Sequence, residues 1–201
     1  MHIAEGMLPL PVLVAGGAVA AAGTYIGLRQ LEPERVPVAG LVSAFLFVAS
    51  LIHVPLPATS VHLVLNGLAG LLLGWAVFPA FLVVLFLQAV LFSFGGLTTL
   101  GVNTANMALP GALCCMLLRR AVAAGGRAGA AAAFAAGFLP ILLAAAMTGL
   151  CLLTIGKEFA AVGFLAHVPV MVIEGFICLF AVAFLRKVRP ELLGAGLGGE
   201  G

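Results

Sequence analysis

Long apolar runs fill most of this chain, and they lack the alternation of apolar and polar residues that is typical of membrane β-strands. Hydrophobic residues make up 64% of the sequence and charged residues 8%, against roughly 25% charged in soluble domains. A soluble fold of 201 residues cannot bury that much apolar surface, so its solvent must be lipid. Only helices and closed barrels pair their backbone in lipid, and the missing alternation excludes a barrel. The sequence therefore predicts an all-α, polytopic membrane helix bundle.

Charged or turn-forming breaks divide the apolar sequence into seven expected helices. They cover residues 8–28, 37–53, 62–74, 77–92, 103–118, 128–154 and 167–185. A spanning helix needs about 20 residues, so the third and fourth are separated at Gly74-Trp75. The first is interpreted as a retained span because no Lys or Arg precedes it. Residues 1–190 are expected to form one membrane-embedded domain, followed by a Gly-rich, flexible tail at 191–201.

The basic residues predict the orientation of these helices. With seven spans and the N-terminus outside, only Lys157 among the nine basic residues lies outside. The inner ones are Arg29, Arg35, Arg119, Arg120, Arg127, Arg186, Lys187 and Arg189. Because cytoplasmic loops carry an excess of Lys and Arg, we expect a multi-pass protein of the cell membrane with a cytoplasmic C-terminus.

All four histidines fall at the outer ends of the predicted helices. His2 precedes the first helix, His53 ends the second, His62 opens the third and His167 opens the seventh. Imidazoles gathered near one membrane surface, in a chain with little other polar chemistry, indicate a transition-metal site.

The N-terminus itself offers further nitrogen ligands. Initiator methionine is removed before small residues, so Met1 is expected to stay in front of His2. The Met1 amine, the His2 amide and the His2 Nδ1 can then close two fused chelate rings around one ion. Nitrogen donors in a plane suit Cu²⁺ or Ni²⁺. One imidazole from elsewhere would complete the square, and the residues alone leave open which histidine supplies it.

Three motifs resemble a known family, the cobalt- or nickel-binding membrane component (CbiM/NikM) of energy-coupling factor (ECF) transporters. The first is the opening Met1-His2-Ile3-Ala4-Glu5-Gly6. The second is Thr59-Ser60-Val61-His62, continuing to Asn66-Gly67-Leu68. The third runs from Phe94-Gly95-Gly96-Leu97-Thr98-Thr99 through Gly101 to Asn103, and on to Asn106-Met107-Ala108. The likeness is highly specific up to about Gly111 and looser beyond it.

The resemblance implies a ligand set, a transported ion and partners. Carried over, the metal ligands are Met1, His2 and His62. The implied ion is Co²⁺, taken up for cobalamin biosynthesis, or Ni²⁺. No separate cofactor is implied. The implied partners are a transmembrane coupling component, cytoplasmic ATPase subunits and a small accessory membrane subunit. The 201 residues contain no phosphate-binding G-x-x-x-x-G-K-[ST] loop, so a partner would hydrolyse ATP.

Two departures from the family pattern leave the preferred ion open. Many members place Ser-His-Pro where this chain has Val61-His62-Leu63, and many lack the histidine of His53-Val54-Pro55. The planar nitrogen set favours nickel, whereas the resemblance covers cobalt equally.

Other residues are candidates for supporting roles. His53, His167, Asn103 and Glu174 are expected to support the ligands or the entry of the ion. The loop carrying Gly95, Gly96, Thr98, Thr99 and Gly101 is expected to fold over the N-terminus. Gly16 and Ala20, four residues apart, would serve helix packing or docking onto the coupling component. Gln88 is interpreted as an ordinary bond between helices.

Two other functions are weighed against metal capture. A self-sufficient carrier of a small metabolite would need inverted repeats and ionisable residues near the bilayer midplane, and Glu174 is the only deep charge. An intramembrane metalloenzyme would need a general base beside the metal, and the H-E-x-x-H pattern is absent. No basic cluster is dense enough to bind nucleic acid. The sequence thus predicts a transport subunit, not an enzyme.

Overall fold

The fold is a helix bundle with one short β-hairpin, described by a computed structural model over residues 2–51, 53–56 and 59–194. In chain order the elements are α1 (Leu10–Gln30), α2 (Val36–Ala49), β1 (His53–Pro55), β2 (Ser60–His62), α3 (Asn66–Leu73), α4 (Val77–Phe92), α5 (Leu100–Ala124), α6 (Gly126–Leu152), α7 (Lys157–Ala166), α8 (Val168–Val188) and α9 (Glu191–Gly194).

Five helical stretches in the described ranges are long and apolar enough to cross a membrane. They are Leu10–Gln30, Asn66–Phe92, Leu100–Ala124, Gly126–Leu152 and Lys157–Val188. Large apolar side chains such as Leu10, Leu117 and Phe180 are exposed on their outer faces, as expected where lipid is the solvent. At 14 residues, α2 measures only about 21 Å. The chain is a multi-pass membrane protein.

The helix is interrupted at Gly74 in the long apolar stretch after the hairpin, where the sequence predicted a break. Gly74 has a φ of 57° and follows the last residue of α3, a conformation that favours glycine. A 3-10 turn at Gly74–Ala76 leads into α4, whose bounds at Val77 and Phe92 are those predicted.

The hairpin corrects the predicted second and third helices. His53 does not end a helix and His62 does not open one, because β1 and β2 pair antiparallel with His53 opposite His62. Instead α2 ends at Ala49, where the Ser50 hydroxyl donates to the Phe47 carbonyl at 2.8 Å. The Leu56 N–H donates to the Thr59 carbonyl at 2.8 Å and closes the hairpin.

Small residues let the helices approach closely in the interior. A Cβ on Gly16 would lie 2.5 Å from Val102 Cγ2 of α5, and Ala20 is buried. Both residues therefore lie at an internal contact of α1.

The C-terminal region differs from the prediction at its start. The flexible tail was predicted from residue 191, whereas Glu191–Gly194 form α9; residues 195–201 lie outside the described ranges. The amphipathic α7 was not predicted separately.

Candidate metal centre

The N-terminal segment enters the bundle at the end that carries the hairpin. His2 is 3% exposed and Ile3 is fully buried. The Asn103 side chain pairs with both main-chain groups of Ile3: the Ile3 N–H donates to Asn103 Oδ1 at 2.9 Å, and Asn103 Nδ2 donates to the Ile3 carbonyl at 3.1 Å. The Thr99 hydroxyl donates to the same carbonyl at 3.0 Å. The buried N–H and carbonyl of Ile3, which belong to no helix or strand, are thus satisfied, and the segment is fixed in place at this residue.

The loop before α5 lies over this segment. The Thr98 N–H donates to the Glu5 carboxylate at 3.2 Å. A Cβ at Gly96 would overlap the Glu5 carboxylate, and one at Gly95 would lie 3.4 Å from the His2 ring. Gly101 is different, because it lies within α5 and packs against Gly17 of α1. Gly95, Gly96, Thr98 and Thr99 thus contact the N-terminal segment or the residue that holds it, whereas Gly101 does not.

Gln88 of α4 determines which nitrogen of His2 carries the proton. The Gln88 amide nitrogen donates to the Ser50 hydroxyl, so its Oε1 faces the His2 ring, and the separation from His2 Nε2 is 2.7 Å. An amide oxygen can only accept, so Nε2 carries the hydrogen, and in the neutral ring the lone pair is therefore on Nδ1. The Ser60 hydroxyl lies 3.4 Å from Nδ1, a long contact that an ion could replace.

His62 presents its other nitrogen in the same way. Its Nδ1–H donates to the Leu63 carbonyl at 2.8 Å. Its Nε2 is buried, with no hydrogen-bond partner in the described residues. The ring centroids of His2 and His62 are 4.6 Å apart. Burial lowers the pKa of His62 well below its ordinary value, and the neighbouring His2 lowers it further, so His62 is neutral and able to bind a metal at physiological pH.

Glu174 of α8 fixes the turn that joins His62 to α3. Its two carboxyl oxygens accept the N–H groups of Val64 and Leu65, the latter at 2.9 Å. Leu65 has a φ of 55°, a strained conformation for a branched side chain. Glu174 therefore stabilises this strained turn, and with it the Leu63 carbonyl that accepts from His62. Glu174 positions the hairpin and does not itself contact either ring in any hydrogen bond of the described residues.

The two remaining histidines lie beside the hairpin that carries His62. His167 is fully buried, and its Nδ1–H donates to the Gly163 carbonyl at 2.5 Å, which connects α7 to α8. For His53 the structure describes the backbone pairing with His62. Met1 lies outside the described residues.

The donor set fits a nitrogen-preferring transition metal. In each of the two rings one nitrogen donates a hydrogen bond to a fixed acceptor, so the opposite nitrogen of the neutral ring carries the lone pair, which is the usual arrangement of histidine ligands. The described residues contain no group of three or more His, Cys, Asp or Glu side chains that could hold an ion. Further ligands would therefore come from the backbone, the N-terminus or water.

Comparison with known proteins identifies the family. Residues 2–192 match the CbiM family, described as "Cobalt uptake substrate-specific transmembrane region". A "Putative metal transport protein" of Haemophilus influenzae is 42% identical, covering 96% of this chain and 97% of the relative. "Cobalt transport protein CbiM" of Sorangium cellulosum is 34% identical, covering 96% and 94%. A solved structure described as "Crystal Structure of an transition metal transporter" superposes with a TM-score of 0.81 at 26% identity, covering 99% of this chain and all of that one. The chain belongs to the CbiM family.

The role of Gln88 can be tested by two substitutions of similar size. Gln88→Leu removes the acceptor for His2 Nε2–H and should lower Ni²⁺ affinity about 10- to 100-fold, the usual cost of losing such a hydrogen bond to a ligand. Gln88→Glu keeps an acceptor oxygen and should bind nearly as well as the wild type. Nitrogen-15 NMR of the His2 ring should show a fixed Nε2–H tautomer in the wild type and in Gln88→Glu, and a mixture in Gln88→Leu. Equal affinity in all three proteins would contradict this role.

Proposed function

We propose that this chain is the substrate-capturing component of an ECF-type importer of Ni²⁺ or Co²⁺. The ion is held by the Met1 amine, the His2 amide and Nδ1, and the His62 Nε2. The observation that carries the proposal is the pair of fixed tautomers. Gln88 and Leu63 each accept from one ring nitrogen, so in the neutral rings the lone pairs are on His2 Nδ1 and His62 Nε2.

The choice of Nδ1 on His2 supports a chelate that includes the backbone. The His2 amide nitrogen, its Cα, Cβ and Cγ, and Nδ1 close a six-membered ring with an ion, whereas Nε2 points too far from the main chain to do so. Gln88 accepts a hydrogen bond from His2 Nε2, the ring nitrogen that does not take part in this chelate. The two hydrogen bonds from the Asn103 side chain to the main chain of Ile3 hold the residue that follows His2. Little backbone freedom is therefore lost when the ion binds.

The relatives support transport of cobalt or nickel. One is named a cobalt transport protein, and a "Fused nickel transport protein NikMN" of Rhodobacter capsulatus is 36% identical over 56% of this chain and 34% of its own length. Delivery would require a transmembrane coupling component and cytoplasmic ATPases, with or without a small accessory subunit. We place the N-terminus and the site outside the cell, because eight of the nine basic residues then lie in the cytoplasm.

Titration of the purified protein with Ni²⁺ and Co²⁺, separately and in competition, tests the ion and its ligands. We expect one ion per chain, and for Ni²⁺ a yellow, diamagnetic species, because four nitrogens in a plane favour low-spin d⁸ nickel. Affinity should fall as the pH falls, because protons compete for the imidazole and amine nitrogens.

A matched control uses the His2→Gln protein under the same conditions, because Gln is large enough for Met1 to be retained. It should lose the yellow species while keeping the helical content of the wild type. A green, paramagnetic Ni²⁺ complex in the wild type, bound equally well by His2→Gln, would overturn the chelate.

A further inference from the structure

A second cavity lies at the opposite end of the bundle, between α6 and α8. Its volume is about 290 Å³, and two of its nine lining residues are cationic, Arg186 and Lys187. The other seven are glycine, alanine, leucine or valine, among them Ala130, Ala133 and Leu179. The cavity therefore has an apolar wall and a positive end.

Arg186 has an unsatisfied guanidinium group. Its Nη2 is buried and has no hydrogen-bond partner among the described residues. The guanidinium lies against the first turn of α6, because a Cβ built on Gly129 would be 3.1 Å from Nη2. The single ion pair of the described ranges joins Arg189 to Glu191, so no carboxylate among the described residues pairs with Arg186. Arg186 as a whole is half-buried, and a buried cationic nitrogen without a partner is costly.

The surroundings of Arg186 add further positive potential. The N-cap of α6 is Gly125, which offers no side-chain acceptor, and the first turn contains no acidic residue. Instead Arg127 lies in that turn, where a cation opposes the helix dipole. Lys187 follows Arg186 directly. Each of these features favours a negatively charged ligand.

We propose that this cavity binds one anionic phospholipid. The headgroup phosphate would pair with Arg186 and Lys187, and one acyl chain would lie along the apolar wall formed by Ala130, Ala133 and Leu179. The mixed lining favours a lipid over a free anion, since inorganic phosphate or a nucleotide would have no use for the apolar wall. Basic pockets between helices at the cytoplasmic side are known to suit acidic headgroups, and the orientation proposed above places this end in the cytoplasm.

The test compares lipid retention by the purified full chain. Native mass spectrometry after incubation with mixed phosphatidylglycerol and phosphatidylcholine should show one phosphatidylglycerol retained per wild-type chain. Arg186→Gln should retain at least about 10-fold less. The matched control is Arg120→Gln, which removes the same charge from an exposed residue at the same end and should retain lipid as the wild type does.

A second variant separates lipid binding from folding. Ala183 lines the cavity and is exposed, so Ala183→Trp should fill the apolar wall without changing charge or stability, and should also reduce retention. Circular dichroism and size-exclusion chromatography check that each variant is folded. Equal retention by Arg186→Gln and Arg120→Gln, no preference for phosphatidylglycerol, or displacement of the lipid by millimolar inorganic phosphate would each overturn the proposal.

Discussion

Replacing His62 with Asn should reduce the affinity for Ni²⁺ by more than about 100-fold, because the loss of a ligand must exceed the cost of losing an outer hydrogen bond. Asn suits this test because its amide nitrogen can take the place of Nδ1. The hydrogen bond to the Leu63 carbonyl and the hairpin would then be retained, and only Nε2 would be lost. Isothermal titration with Ni²⁺ measures the change.

His167→Asn is the matched control for this substitution. It preserves the bond to the Gly163 carbonyl and also removes only Nε2. Its Ni²⁺ affinity should stay within about 3-fold of the wild type, a smaller change than the loss of a hydrogen bond to a metal ligand produces. Similar losses in the two variants would mean that His62 is not the fourth ligand. An unchanged affinity in His62→Asn would exclude His62 altogether.

The parts of the fold that were predictable from the sequence depend on local signals. The bounds of α4 and the break at Gly74 follow from an apolar run and one glycine, and neither requires knowledge of distant residues. The hairpin at His53–His62 was missed because its strands are three residues each, too short for a periodic pattern. Pro55 gave no warning, because the predicted helix already ended at His53, ahead of it.

The supporting residues of the site show a different limit. Gln88 and His2 are 86 positions apart, and no spacing rule connects them. Gln88 was interpreted as an ordinary interhelical bond, although it lies four residues after the buried Val84 and so on the inner face of α4. A polar residue on the buried face of a helix should be read as a partner for some buried group. What the sequence cannot supply is the identity of that group.

Blocking the Met1 amine should reduce Ni²⁺ affinity at least as strongly as losing His62. A retained formyl group changes the protein by a few atoms, yet it turns the basic amine into an amide and removes one chelate ring. Protein produced with the deformylase inhibited should therefore bind Ni²⁺ more than about 100-fold more weakly, because losing a ligand should reduce the affinity more than losing a hydrogen bond to a ligand does. Mass spectrometry identifies the first residue and counts the formyl groups, and the deformylated protein is the matched control.

A Gly-Ser extension ahead of Met1 distinguishes loss of the amine from loss of space. The segment behind it is packed, with His2 and Ile3 buried and Ile3 hydrogen-bonded to Asn103, so an extension can act by crowding this segment as well as by removing the amine. The same two residues added after Gly201 should leave binding unchanged. If the formylated protein binds Ni²⁺ at full affinity while the extended one does not, the amine is not a ligand and the segment needs only room. If both lose affinity and keep the melting temperature of the wild type, the loss belongs to the amine, because the fold that carries His2 and His62 is intact.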